Sequence, residues 1–133
     1  LVGEHLSVDN MNKAIQLASE EMNISIPEFT VAGIPHGLFF AHHWYVACDD
    51  QVDSENLRSR IDDILKEIND DYAVERNSAL KEVYLTVLPE SSFMEFMRQK
   101  GKVGGQHKFP RVMKGKNYEE WRNFLESVNA INH

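Results

Sequence analysis

Apolar residues recur along the chain in two rhythms, and the switches between them mark out the elements. Met11, Ala14, Ile15, Ala18 and Met22 repeat at three and four residues, with Asn12, Lys13, Gln16, Glu20 and Glu21 on the other side, which predicts a half-buried helix. Ser7 or Asp9 supplies its N-cap, and Asn23, Ser25 and Pro27 end it. Residues 28–34 (EFTVAGI) are β-branched and aromatic and predict a strand. Residues 35–37 (PHG) are turn chemistry, and residues 38–48 (LFFAHHWYVAC) predict a second strand, paired with the first as an antiparallel hairpin. That second strand is apolar on both faces and belongs at the centre of a sheet.

The helical rhythm returns after Asp53 or Ser54. Leu57, Ile61, Ile64, Leu65, Ile68 and Tyr72 form a buried stripe, and Glu55, Arg58, Arg60, Asp62, Asp63, Lys66 and Glu67 predict a solvated face. The polar stretch 69–79 reads as a frayed helix end. Residues 80–88 (LKEVYLTVL) predict a strand closed by Pro89. Ser91 or Ser92 is expected to cap a third helix through Phe93, Met94, Phe96 and Met97, ended by Gly101. Phe109 precedes Pro110 and is pushed to extended geometry, so residues 108–113 (KFPRVM) predict a short strand. Asn117 is expected to cap a last helix that turns Tyr118, Trp121, Leu125 and Val128 to one side.

With a short leading strand or hinge in residues 2–6, the order is βαββαβ followed by C-terminal helices. That predicts a ferredoxin-like α+β fold, a mostly antiparallel sheet with helices packed on one face. At 133 residues the chain is one domain's worth and can bury a core without disulfides, which the single Cys48 excludes within one chain. Cys48 reads as a buried thiol of a reducing compartment, and a cytoplasmic location follows. No apolar run approaches a membrane span and no signal peptide is legible, so no membrane partner is expected.

Charge changes the picture more than composition does. The net charge of −7 argues against general nucleic-acid binding, and no nucleic-acid partner is expected. Yet residues 98–116 hold seven of the fourteen Lys and Arg and no acid, while the other residues carry all twenty-one acids. Gly101, Gly104 and Gly105 loosen the first half of this segment, and Pro110 stiffens the second. A basic loop on an acidic domain meets an anion, phosphate first.

Other chemistry is thin. His42 and His43 are neighbours on a strand and point to opposite faces, and no pair of His or Cys has a metal-ligand spacing, so no metal site is expected. There is no GxSxG, GxxxxGK[ST] or GxGxxG. Asp49, Asp50 and Asp53 read as turn and capping residues rather than a carboxylate pair. Lys108 differs, because it sits between a glycine pair and an FPR tripeptide that sets backbone direction, and so presents a long cation from a semi-rigid loop.

The run GGQHKFPRV, preceded by LKEVYLTVLPE and MRQKGK, resembles the C-terminal segment of the auxin-responsive acyl-acid–amido synthetases, in the wording of bacterial members. GEHLS at residues 3–7 resembles the hinge that leaves the large N-terminal domain of adenylate-forming enzymes, and NMNKAIQLA the first helix of their C-terminal domain. The resemblance covers nearly the whole chain and is most specific over residues 101–112. The PHGLFFAHHW hairpin departs from the plant wording.

The resemblance implies residues 1–8 as hinge and 9–133 as a C-terminal lid domain. The parent would be an ATP-dependent ligase, with Mg2+ expected, that adenylates a carboxylic acid and joins it to an amino acid; the chain alone would be inactive. Its partner would be the N-terminal adenylation domain of the same protein, and the start at Leu1 points to a fragment. Lys108 matches the lysine brought to the phosphates, with Gln106 and Arg111 touching nucleotide oxygens or positioning the loop, and Gly104, Gly105 and Pro110 shaping it. The competing reading is a free-standing ferredoxin-like module whose loop 98–116 grips a nucleotide, RNA or an acidic partner; a third is a purely structural domain.

Overall fold

The alternating side chains of the second hairpin strand divide the molecule between two cores. In the computed structural model, which describes residues 6–101 and 108–132 (the last three by backbone alone), that strand is β2 (Phe39–Ala47). It lies between β1 (Phe29–His36) and β3 (Leu80–Leu88) in a four-stranded sheet of order β3-β2-β1-β4, where β4 is Val112–Met113. Trp44 and Val46 face a core made with α1 (Val8–Met22) and α2 (Ser54–Ile68), through Met11, Ile15, Leu57, Ile61 and Leu65. Tyr45 and Ala47 face a second core, made with α4 (Glu90–Gln99) and α5 (Gly115–Asn132) through Phe93, Phe96, Trp121 and Phe124. The central place of β2 follows from its two apolar faces, as read from the sequence.

The sheet is mixed rather than mostly antiparallel, and helices cover both its faces rather than one. β1 and β2 pair antiparallel from Phe29 with Val46 to His36 with Phe39. β3 runs parallel to β2, and β4 parallel to β1 through Val31 with Val112 and Ala32 with Met113. The reason lies in the connections. α2 and the segment after it carry the chain back across the sheet, so β3 enters in the direction of β2, whereas β4, reached from β3 through α4, runs antiparallel to β3 and so parallel to β1. Alternation along one strand says which residues share a face, but not which helix covers it. Of the expected leading strand or hinge in residues 2–6 only Leu6 is among the described residues, and it lies in no strand.

Caps differ in detail. Ser7 and Asn10 form a reciprocal capping box on α1, and Asp53 accepts from the backbone N–H groups of Glu55 and Asn56 at the start of α2. α4 begins at Glu90, ahead of Ser91 and Ser92, and the Asp49 carboxylate at the end of β2 accepts from the Glu90 N–H at 3.2 Å. α5 begins at Gly115, so Asn117 falls in its first turn instead of capping it. Gly115 has φ 58°, a left-handed backbone that a glycine adopts without strain.

The stretch expected to fray is a helix break. Asn69 leaves helical geometry and its side chain accepts from the Tyr72 N–H, starting a separate helix α3 (Asp70–Arg76). This turn covers Asp62, which the helical pattern assigned to solvent and which is 4% exposed. The Tyr72 hydroxyl donates to Asp62 at 2.6 Å and Arg76 Nε at 3.0 Å, while Arg76 Nη1 donates to the Leu80 carbonyl at 2.8 Å. Burial alone would raise the Asp62 pKa, but these two donors hold it below the usual carboxylate range. A pattern that treats each helix as straight cannot foresee a neighbour folding back over its polar face.

His42 lies buried in the first core beside the rings of Phe40 and Tyr72, with no protein partner for either ring nitrogen. Burial lowers its pKa to about 4, and His43 on the opposite face is lowered to about 4 by burial and Arg122. Between pH about 6.5 and about 4 the unfolded chain takes up protons that the folded chain refuses, so stability is full above that window and falls with pH through it. Each histidine then costs about 2 kcal/mol at pH 5 relative to pH 7. We expect His42→Leu to remove about half of that loss, measured as urea midpoints at the two pH values. An unchanged pH dependence would show that His42 titrates normally in the fold.

Candidate functional site

The candidate site is assembled from the anchored half of the basic segment. α4 ends at Gln99 with Lys100 as its C-cap, and Gly101 follows at φ 73°. Gly104, Gly105 and Gln106 lie outside the described residues. The chain is described again at Lys108, which is exposed, and the next residue is the first fixed one. Phe109 is 3% exposed, with its ring 4.8 Å from Phe93, 5.2 Å from Trp121 and 6.0 Å from Phe96. Pro110 is exposed and prevents a helical turn at its predecessor.

Arg111 then clamps the run to the start of β1. Its Nη1 donates to the Glu28 carboxylate at 2.6 Å and to the Phe29 carbonyl at 3.0 Å, with the guanidinium 4.3 Å from the centre of the Phe29 ring. The Val31 N–H donates to the Arg111 carbonyl at 2.9 Å, which leads directly into the β1–β4 ladder. Residues 109–113 are therefore held by a ring plug, an ion pair and backbone pairing, and Lys108 projects from the edge of that fixed base. The charge of Arg111 is engaged by Glu28.

Carboxylates engage part of the charge of this segment. Among its described residues Arg98 pairs with Glu95, Lys100 with Glu120 and Arg111 with Glu28, and Lys108, Lys114 and Lys116 are exposed. Glu28 was not legible as a partner, because 83 residues separate it from Arg111. The aromatic periodicity of α4 and α5 was legible, but not its closure on Phe109.

The remaining candidates are occupied structurally. Asp50 accepts from the Ser25 N–H at 2.8 Å, so Asp49, Asp50 and Asp53 each satisfy a backbone donor, as the sequence reading had it. Cys48 is buried, and burial raises its thiol pKa away from reactivity. Among the described residues no group of three His, Cys, Asp or Glu could hold a metal ion, and no helix is long and apolar enough to cross a membrane.

Comparison with known proteins agrees with this architecture. The family model described as the GH3 family C-terminal domain matches residues 9–117. No curated protein matches the chain. A solved structure described as GH3.15 acyl acid amido synthetase superposes with a TM-score of 0.69 over 92% of this chain and 24% of its own length, at 18% identity. Another, AtGH3.15 acyl acid amido synthetase in complex with 2,4-DB, superposes at 0.64 over 90% and 23%, at 19% identity. At such identities the likeness is one of fold, and the chain spans about a quarter of the length of these structures.

Proposed function

This chain belongs to the GH3 family, as its C-terminal domain, and on that footing we propose that residues 9–133 are the lid of an ATP-dependent acyl-acid–amido ligase. Residues 1–8 would be the hinge to an N-terminal adenylation domain. The observation that carries the reading is the exposed Lys108 on a base fixed by Phe109, Arg111 and β4. The domain offers no second catalytic set among its described residues, so the lysine acts on a substrate held elsewhere.

In the first half-reaction a carboxylate oxygen attacks the α-phosphorus of ATP, the bond to the β-phosphate bridge breaks, and pyrophosphate leaves behind an acyl-adenylate. In the second, an amino-acid nitrogen attacks the acyl carbon, AMP leaves, the nitrogen loses a proton, and an amide remains. Lys108 at the α-phosphate would stabilise the negative charge that gathers on its oxygens in the first transition state. Closure of the lid would keep water from the hydrolysable adenylate. Arg111 would hold the direction of Lys108, with Gln106 beside the nucleotide. For the Mg2+ expected with ATP, no group of three His, Cys, Asp or Glu stands ready among the described residues. A cytoplasmic, bacterial enzyme is the setting that the lone buried Cys48 and the GGQHKFPRV wording support.

The test is a comparison of the chain with its parent. The whole protein should release pyrophosphate in a carboxylate- and ATP-dependent way, and the 133-residue chain should not. By calorimetry the chain alone should bind ATP no tighter than about millimolar, since most nucleotide contacts would belong to the other domain. Micromolar ATP binding by the chain would replace the ligase reading with that of a free-standing nucleotide-binding module.

A further inference from the structure

Arg122 stands apart from the other arginines. Arg58, Arg60, Arg76, Arg98 and Arg111 each pair with a carboxylate. Arg122 is in no ion pair among the described residues, although Glu119 and Glu126 lie three positions before and four after it on α5, within reach on a helix surface. Its guanidinium lies instead 5.7 Å from the ring centre of Tyr118. There it borders an open groove of about 650 Å³ between α5 and residues 33–35 of β1.

The rest of the lining is aromatic and uncharged at neutral pH. The His43 ring lies parallel to Tyr45 at 4.2 Å, with its Nε2 2.8 Å from the Thr86 hydroxyl, and burial and Arg122 keep it neutral. The Tyr45 and Tyr118 hydroxyls are 3.0 Å apart. Ile34 and Pro35 add apolar wall, and among the described residues no acid lines this groove, Glu119 and Glu126 lining the adjoining one on the other side of Tyr118 and Arg122.

One uncommitted guanidinium over rings and apolar wall selects its ligand. The flat fork of an arginine matches a carboxylate. Among the described residues the lining holds no second Lys or Arg to balance a phosphate dianion. Neither Lys108 nor Arg111 lines the groove: Arg111 is held at Phe29 and Val31, whereas the groove begins at residue 33. We propose that this groove is a second ligand site, which binds a small monocarboxylate with a planar apolar body, its carboxylate on Arg122 and its ring against Tyr118, Ile34 and Pro35. The inference does not rest on the ligase reading.

The experiment is an NMR titration of the chain with phenylacetate, following the ring resonances of Tyr118 and His43. Saturable shifts with a Kd of about 0.1–10 mM are expected for a ligand of this size. Phenylacetamide, similar in shape and uncharged, should bind at least about tenfold more weakly, as should phenylacetate to Arg122→Gln, an exposed position that leaves the cores intact. Lys108→Ala should bind as the unaltered chain does. No saturable shift in that range, equal binding of the amide, or full binding by Arg122→Gln would each overturn the proposal. Loss of binding in Lys108→Ala would overturn it too, by placing the ligand on the loop.

Discussion

Replacing Lys108 by alanine in the whole enzyme is expected to slow carboxylate- and ATP-dependent pyrophosphate release by at least about tenfold, and by as much as about 10²–10³-fold, the usual worth of one preorganised donor at a developing charge. The size follows from the base beneath it. A lysine on a free chain pays most of its electrostatic gain back in ordering, whereas Lys108 precedes a ring locked among three others and a guanidinium held by Glu28. Lys108 is exposed, so its removal leaves the fold unchanged and the loss is catalytic. The KM for the carboxylic acid should change little while kcat falls, since a group met only in the transition state alters the chemical step. Turnover equal to that of the unaltered enzyme would remove Lys108 from the mechanism.

Phe109→Ala is expected to destabilise the chain by about 3–5 kcal/mol, the usual cost of emptying a buried phenyl site. Its ring closes the second core over Phe93, Phe96 and Trp121, a cluster too interlocked to collapse into the space left. Against a typical domain stability of about 5–15 kcal/mol this is a large share. A urea titration followed by tryptophan emission reads it directly, as Trp121 lies 5.2 Å from the ring. Phe109→Leu should cost about 1–1.5 kcal/mol and leave the domain folded. In the whole enzyme it should still slow pyrophosphate release, because the side chain that fixes the lysine's root has changed shape. An Ala variant with an unshifted urea midpoint would show that the ring is no anchor.

How far the sequence carried this reading varies by element. The helical stripes, the hairpin and the central place of β2 came from periodicity, because burial repeats at 3.6 residues on a helix and at two on a strand. Asp62 shows where that logic stops. Its position on α2 marks it as solvated until α3 folds over it, and α3 exists because Asn69 breaks the helix and caps the next one. At the site, Lys108 stood out by charge pattern and by the family wording around it. Its support from Glu28 did not, since a partner 83 residues away leaves no local trace.

By itself the sequence determined the helical stripes and the hairpin, the gathering of half the Lys and Arg without an acid in residues 98–116, and the family wording around Lys108, because each is a property of neighbours along the chain. Only the tertiary structure decided that the sheet is mixed, that helices cover both its faces, and which cations are spent. Those depend on where connections land and on which distant carboxylate comes within reach. Among the described residues of the basic segment, Arg98, Lys100 and Arg111 pair with Glu95, Glu120 and Glu28, and Lys108 stands exposed next to a buried ring.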